Sequence, residues 1–266
     1  MSTIHTRGVN FHVQRLGQGP PVVMLHGLLS GSIATWGDTI APRLTDLCAP
    51  ILIDQRGHGA STRPRHGYGA TELAHDLEAV TRHLPAFPLV AHGYGCLVAV
   101  RFALANPYRV LGLTLVEPPF ALSLDPNLDI TVLGQGSLSP APADQARALL
   151  EGTDLQADLE AEPELTDDDL AALRGDLLVV FGDQSPCRTG EVLVRRNRPD
   201  AWVVVLPGGH HVHEQSTDAL TDVVRRQLIR ALEIEVVDPS DAPRPLSAGP
   251  IDAGGLLGPS PTPARV

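Results

Sequence analysis

Short, nearly continuous apolar runs recur along most of the chain, and a turn signal follows each of them. Such runs are typical of parallel strands that are covered on both faces. They are Pro21–Leu25, Ile51–Ile53, Leu89–Ala91, Leu111–Val116, Asp176–Phe181 and Trp202–Leu206, and the alternating segment Asn10–Arg15 predicts an earlier strand. Helical patterns lie among them at Trp36–Leu47, Ala70–Leu84 and Thr217–Leu232. Strands that alternate with helices predict an α/β fold with a doubly wound, mostly parallel sheet.

Two segments break this rhythm. From Pro118 to about Gly175 the chain is rich in Pro, Asp and Leu, and only short helical patterns remain, around Pro142–Leu150 and Thr166–Leu173. Beyond Val237 the sequence has neither periodicity nor an aromatic residue. We therefore expect one domain over 1–237, interrupted by an insertion at about 118–175, and a disordered tail over 238–266.

Composition and charge exclude several classes of function. The net charge of −11 argues against a nucleic-acid groove and against binding to anionic membranes. No run of eighteen apolar residues predicts a membrane span, and the first residues have no apolar core of a signal peptide. Three cysteines without paired spacing are typical of reduced thiols in a cytoplasmic protein. All twenty basic side chains are arginine, which excludes Schiff-base chemistry and a Walker-type phosphate loop, and we predict no cofactor.

The segment Leu89–Val100 carries the most informative pattern. An apolar run ends at Ala91, a sharp turn follows, and a helix of small residues begins. This order of strand, turn and helix is typical of a nucleophile elbow, which has the motif G-x-S-x-G. In this chain Ala91 replaces the first glycine, Gly93 occupies the nucleophile position and Gly95 is the last glycine. Three further segments accompany it in order: His26-Gly27 after a strand, D-x-R-G-H-G-x-S at 54–61, and Gly208-Gly209-His210. With these segments the chain resembles the α/β-hydrolase fold superfamily.

The resemblance implies a catalytic layout. The backbone N–H groups of Leu28 and Tyr94 would form an oxyanion hole, and His210 would be the base. The insertion at about 118–175 would be a small helical cap that selects a small-molecule substrate or ligand. The polar residues of 54–61 would be structural.

The acid that orients His210 has three candidate positions. The common family position falls on Ser185, which cannot act as an acid, so this position is degenerate. Some members place the acid at the end of the sixth strand, which here is Glu117. We choose Glu117 and keep Asp183 as the second candidate. We expect Gly93, His210 and Glu117 to meet in one cleft, with the Glu117 carboxylate within hydrogen-bond reach of His210.

The glycine at the elbow removes the hydroxyl that would attack a carbonyl. Glycine adopts the positive φ of such a turn without strain. Cys96 is the nearest alternative nucleophile, but the resemblance places it under the elbow, where its thiol would be buried and inert.

The cluster His210-His211-Val212-His213 raises the question of a metal site. Neighbouring histidines on a loop are expected to point apart, and no carboxylate spacing is expected to converge with them. Zinc needs three or four ligands that aim at one point, so we predict no metal.

Four functional hypotheses remain. The preferred one is an enzyme without a nucleophile, in which His210 and the oxyanion hole isomerise, cleave or cyclise a carbonyl compound, for example in specialised metabolism. The others are an inactive homologue that binds a ligand or partner, a hydrolase in which His210 activates water, and an esterase-type hydrolase if Gly93 replaces a native serine.

Overall fold

The apolar runs assemble into one sheet in the residues that this computed structural model describes, 1–120 and 143–233. Its eight strands are β1 Ser2–Thr6, β2 Val9–Arg15, β3 Pro21–Leu25, β4 Ala49–Ile53, β5 Phe87–His92, β6 Val110–Val116, β7 Asp176–Gly182 and β8 Trp202–Leu206. Their spatial order is β1-β2-β4-β3-β5-β6-β7-β8. At one edge, β2 pairs antiparallel with both β1 and β4, whereas the six strands β3 to β8 run parallel to one another. The predicted mostly parallel α/β sheet is confirmed.

The continuous apolar runs are explained by a core on each face of the sheet. In β3, Val22 and Met24 belong to one buried cluster, and Val23 and Leu25 belong to the cluster on the other face. Because successive side chains of a strand point to opposite faces, a strand covered on both sides needs an apolar residue at every position.

Helices cover both faces. They are α1 Ala70–Thr81, α2 Gly95–Ala105, α3 Ala143–Gly152, α4 Leu155–Ala161, α5 Asp167–Ala172, α6 Glu191–Asn197, α7 Val212–Gln215 and α8 Thr217–Ala231. Buried side chains of α1 and α2 join the cluster that contains Val23, and those of α8 join the cluster that contains Val22. None of the helices in the described part of the chain combines the length and the apolar character that a bilayer-crossing segment needs.

The predicted helix Trp36–Leu47 is wrong. The chain forms a π-helical turn at Ile33–Gly37 and a separate 3-10 turn at Ala41–Leu44. Pro42 lacks the N–H that a continuous helix would need, so the pattern of apolar residues is satisfied by two short turns that bury Trp36. The edge strand β1 is not predicted by the sequence pattern either, because its residues are mostly exposed.

The inserted segment contributes three short helices, α3 to α5, in its described part. Two of them coincide with the predicted helical patterns, and α4 does not. The segment 121–142 and the predicted tail over 238–266 lie outside the described residues. The extent of the domain over 1–237 therefore stays a prediction.

Acidic side chains fasten α4 to the start of α1. Asp158 accepts hydrogen bonds from the N–H groups of Gly67 (2.7 Å) and Tyr68 (3.0 Å). Glu162, which follows α4, accepts from the N–H of Thr71 (3.2 Å) and from its hydroxyl (2.7 Å). The residue that precedes α1 is Gly69, which has no side chain to cap the helix. Glu162 therefore supplies the cap from a distant part of the sequence.

Candidate active site

Two neighbouring parallel strands deliver the elbow and the candidate acid. In the register of β5 and β6, His92 lies opposite Val116, so Gly93 and Glu117 leave the sheet side by side. The N–H of Gly93 donates to the carbonyl of Val116 (2.9 Å), and the N–H of Glu117 donates to that of Val180 (2.8 Å). Both residues have positive φ, +54° for Gly93 and +59° for Glu117. This conformation is free for glycine and strained for glutamate, and such strain concentrates at functional sites.

His210 lies between these two residues. It follows β8 on the Gly208-Gly209 turn and is buried. Its Nδ1 is 3.3 Å from Oε2 of Glu117. Its Nε2 faces the elbow, since a Cβ built on Gly93 would lie 3.2 Å from that nitrogen. The structure therefore brings Gly93, His210 and Glu117 together, with one ring nitrogen turned to each neighbour.

Glu117 is fully buried, and several donors hold its carboxylate. Oε1 accepts the N–H of Gly182, and Oε2 accepts the hydroxyl of Ser185. Burial raises the pKa of Glu117 to about 7, although these hydrogen bonds act in the opposite direction. Burial also lowers the pKa of His210 to about 3, and the neighbouring His211 adds to that shift. Both shifts favour uncharged forms, so a neutral imidazole lies against the carboxyl group.

The three candidate acid positions have different surroundings. Ser185, at the position that the resemblance predicts for the acid, donates its hydroxyl to Oε2 of Glu117. Asp183 is exposed, and its Oδ1 accepts the N–H of Gly208 (2.9 Å). Among the described residues, the carboxylate within hydrogen-bond reach of His210 is that of Glu117.

Sequence reasoning missed Cys187. Its Sγ lies 3.4 Å from Nδ1 of His210, on the same side of the ring as Glu117. The thiol is buried, and burial raises its pKa. The backbone N–H of Cys187 donates to Oγ of Ser185 (3.1 Å), which fixes the turn that carries both side chains. Its position two residues after the degenerate acid was the available signal.

Four buried histidines pack together, His92, His210, His211 and His213, and five of their ring pairs have centroids 4.4–6.1 Å apart. Nε2 of His92 donates to the carbonyl of His210 (2.9 Å), which identifies the nitrogen that carries its proton. Burial lowers the pKa of His92 and of His213 well below the usual value. Sequence reasoning missed His92 as a support of the His210 backbone.

The expectation that no carboxylate converges on the histidine cluster is wrong. Ligand atoms of His211, His213 and Glu214 lie within 4.8 Å of one another, because the short helix α7 places Glu214 beside the two rings. A second set of convergent ligand atoms comes from Glu117, Cys187 and His210.

The two candidate oxyanion-hole residues belong to turns that touch. A Cβ built on Gly27 would lie 3.7 Å from Cα of Gly93, so the turn before Leu28 packs directly on the elbow. Tyr94 follows Gly93, and its phenol donates to the carbonyl of Tyr68 (3.4 Å). The role of the Leu28 and Tyr94 amides stays a prediction.

Cys96 faces the sheet beneath the elbow. Its thiol lies 3.3 Å from the carbonyl oxygens of Ala91 and Val116, and burial raises its pKa well above the usual value. A buried, protonated thiol is a poor nucleophile.

Comparisons with known proteins agree with this arrangement of strands and turns. The sequence model described as "alpha/beta hydrolase fold" matches residues 20–162. The 2-(acetamidomethylene)succinate hydrolase of Mesorhizobium japonicum is 28% identical and is aligned over 79% of this chain and 88% of its own. The pimeloyl-[acyl-carrier protein] methyl ester esterase of Chromobacterium violaceum is 41% identical over 111 residues, which are 41% of each chain. A solved structure of E-2-(acetamidomethylene)succinate hydrolase, 23% identical, has a TM-score of 0.66 over 85% of this chain and 97% of that chain.

Proposed function

The chain belongs to the alpha/beta hydrolase fold family, and from this premise we propose that it is an enzyme that acts on a small carbonyl compound without a nucleophilic side chain. One observation carries the proposal. Gly93 occupies the nucleophile position of the elbow, and a Cβ built on it would lie 3.2 Å from Nε2 of His210. A histidine in the position of the family base therefore lies next to the Cα of a glycine instead of a hydroxyl.

The contacts of His210 favour a base over a structural residue. When Glu117 is ionised, Nδ1 carries the ring proton and donates it to the carboxylate, and Nε2 presents its lone pair towards Gly93. The carboxylate of Glu117 is itself held by Ser185 and by the N–H of Gly182. Such support fixes the ring orientation, which is the function of the acid in a serine–histidine–acid triad.

The proposed reaction is a proton transfer next to a carbonyl group. Nε2 of His210 removes a proton from the carbon beside the carbonyl, and negative charge develops on the oxygen. The amides of Leu28 and Tyr94 would stabilise that charge. The imidazolium then returns the proton to the same carbon, to another carbon or to a leaving group, which gives isomerisation, epimerisation, cyclisation or elimination.

Hydrolysis by activated water is the second candidate, because the compared relatives are named as a hydrolase and an esterase. In this version, Nε2 of His210 takes a proton from a water molecule that occupies the space beside Gly93, and no acyl-enzyme forms. Three free and buried cysteines (Cys48, Cys96 and Cys187) support placing either reaction in a reducing compartment such as the cytoplasm.

Isotopes distinguish the two reactions. The full chain is incubated with a panel of β-keto esters, enamides and unsaturated keto acids, in D₂O and separately in ¹⁸O-water. We expect deuterium at the carbon beside the carbonyl, and we expect this exchange to fall by about 10²–10⁴-fold in His210→Gln. Product that contains ¹⁸O and no carbon-bound deuterium would favour the hydrolase.

A gain-of-function variant tests the role of the elbow. In the proposed enzyme, Gly93→Ser places a side chain in the space that substrate uses, so exchange should fall and activated esters should be cleaved slowly at most. Strong esterase activity of Gly93→Ser, together with a wild-type protein that is inert on the whole panel, would refute the proposal. That result would indicate an inactive homologue of an esterase.

A further inference from the structure

We propose that Glu117, Cys187 and Nδ1 of His210 form a binding site for a borderline divalent metal ion of the zinc type. Their ligand atoms all lie within 4.8 Å of one another. Two of the separations are 3.4 Å, from Sγ to Nδ1, and 3.3 Å, from Nδ1 to Oε2. Tetrahedral zinc with bonds of about 2.0–2.3 Å separates its ligands by roughly 3.3–3.6 Å. Two of the three separations therefore already match those of such a site.

The donor set selects the metal. A thiolate, an imidazole and a carboxylate together suit zinc, cobalt and cadmium, whereas magnesium and calcium prefer oxygen ligands alone. The second candidate cluster, at His211, His213 and Glu214, contains no thiol. Two histidines and a glutamate also suit zinc, but the thiolate is the softer ligand and favours cadmium binding at Cys187.

Charge balance permits an ion in this buried place. On binding, the S–H bond of Cys187 breaks and its proton passes to water, as does any proton on Glu117. A divalent cation with one thiolate and one carboxylate has no net charge, which limits the cost of burial.

The surrounding hydrogen bonds orient the ligands. The N–H of Gly182 holds the second oxygen of Glu117, and Oγ of Ser185 holds the backbone of Cys187. Partners of this kind fix the ligands of metal sites and raise their affinity.

Metal binding would stop the proposed reaction, an inference that rests on the proposed function. An ion on Nδ1 takes the lone pair of that nitrogen, so the ring proton moves to Nε2. The nitrogen that faces Gly93 then carries a hydrogen and cannot act as a base. The site would make the enzyme sensitive to free zinc-type metals and to their chelators.

Cadmium binding tests the site without any need for substrate. The full chain, stripped of metal with a chelator, is titrated with Cd²⁺, and the ultraviolet absorption of the thiolate–cadmium bond is recorded. We expect one equivalent to saturate the signal and Zn²⁺ to displace it. Cys187→Ala and Cys187→Ser should abolish the signal, whereas Cys48→Ala should retain it. Cys48 is a matched control, because it is also buried and belongs to the cluster on the opposite face of the sheet.

A further variant tests the carboxylate. Glu117→Gln keeps the thiol and should bind Cd²⁺ at least about 10-fold more weakly. Circular dichroism and urea unfolding establish that each variant is folded before titration. A signal that survives in both Cys187 variants, or no thiolate–cadmium signal in the folded wild-type protein, would overturn the proposal. If the signal forms while deuterium exchange continues unchanged, the metal site stands and the proposed role of His210 fails.

Discussion

The chain turns sharply at the ends of both β5 and β6, but with different residues at the turn. Each strand is followed by a residue at positive φ, Gly93 in one case and Glu117 in the other. Each of these residues extends the hydrogen bonding of the sheet through its backbone N–H. At Gly93 the chain has no side chain and no strain. At Glu117 it keeps a side chain despite strain and complete burial.

The two residues differ in how their surroundings support them. Backbone strain and burial of a carboxylate both lower the stability of the folded protein. Such a residue therefore needs surrounding groups that stabilise it. Ser185, the N–H of Gly182 and His210 provide this support at Glu117. Gly93 has an unstrained backbone and no side chain to support, and a Cβ at this position would lie 3.2 Å from Nε2 of His210. Several groups hold the side chain of Glu117, whereas Gly93 has no side chain to hold.

Removal of the Glu117 carboxylate should have the largest effect on the free energy of unfolding. Glu117→Ala leaves the hydroxyl of Ser185, the N–H of Gly182 and Nδ1 of His210 without their acceptor, while alanine keeps the strained φ. We expect a loss of about 3 kcal/mol in the free energy of unfolding. Urea denaturation measures it. A loss below about 1 kcal/mol would mean that the carboxylate is not a structural element of the site.

The pH dependence of stability sharpens the comparison. Burial raises the pKa of Glu117 to about 7 from a usual value of 4.5. Between these pH values the folded protein holds a proton that the unfolded chain has released, so Glu117 lowers stability as the pH rises. Gln does not titrate. The free energy of unfolding of Glu117→Gln minus that of wild type should therefore increase by about 1.4 kcal/mol per pH unit over this interval. Urea titrations at several pH values test this, and a constant difference would contradict a protonated carboxyl group.

Introducing a side chain at Gly93 should lower stability less than removing the Glu117 carboxylate. Gly93→Ala forces alanine into positive φ and places its Cβ 3.2 Å from Nε2 of His210. We expect a loss of about 1–2 kcal/mol. Gly8→Ala is the matched control, since Gly8 also has positive φ but its Cβ would meet nothing within 4 Å. Thermal unfolding of both variants separates backbone strain from contact with the histidine, and equal losses would show that the contact contributes nothing.

The smallest effect on stability is expected at Asp183, the second candidate acid. Asp183→Asn keeps an oxygen that can accept the N–H of Gly208, and the residue is exposed. Its free energy of unfolding should change by less than about 0.5 kcal/mol, as urea denaturation measures. If Asp183→Asn lowers the free energy of unfolding as much as Glu117→Ala does, the assignment of the acid to Glu117 is wrong.

The sequence predicts the sheet well because local pattern and tertiary environment agree there. The run Pro21–Leu25 must be apolar at each position to fill two cores, and this leaves a clear signal. The segment Trp36–Leu47 misleads because its apolar spacing fits a helix, whereas Pro42 and the burial of Trp36 determine two separate turns. Strand β1 leaves no apolar signal, since pairing with β2 and not burial defines it.

The site was predictable where position along the chain determines chemistry. The contact of Glu117 with His210 follows from the ends of strands in a parallel sheet. The approach of Cys187 to the same ring depends on the turn Pro186–Gly190, and the convergence of Glu214 with His211 depends on helix α7. Contacts made by short turns have no periodic signature, so a single sequence does not disclose them.

The capping of α1 by Glu162 couples the start of this helix to the docking of a distant part of the chain. Thr71 and Glu162 are 91 residues apart, and the amide hydrogen of Thr71 has its acceptor only when the segment after α4 is docked. Whenever that segment detaches, the first turn of α1 loses its cap, and this amide becomes open to exchange with solvent. The rate of hydrogen exchange at the Thr71 amide therefore reports how often the segment after α4 detaches from α1.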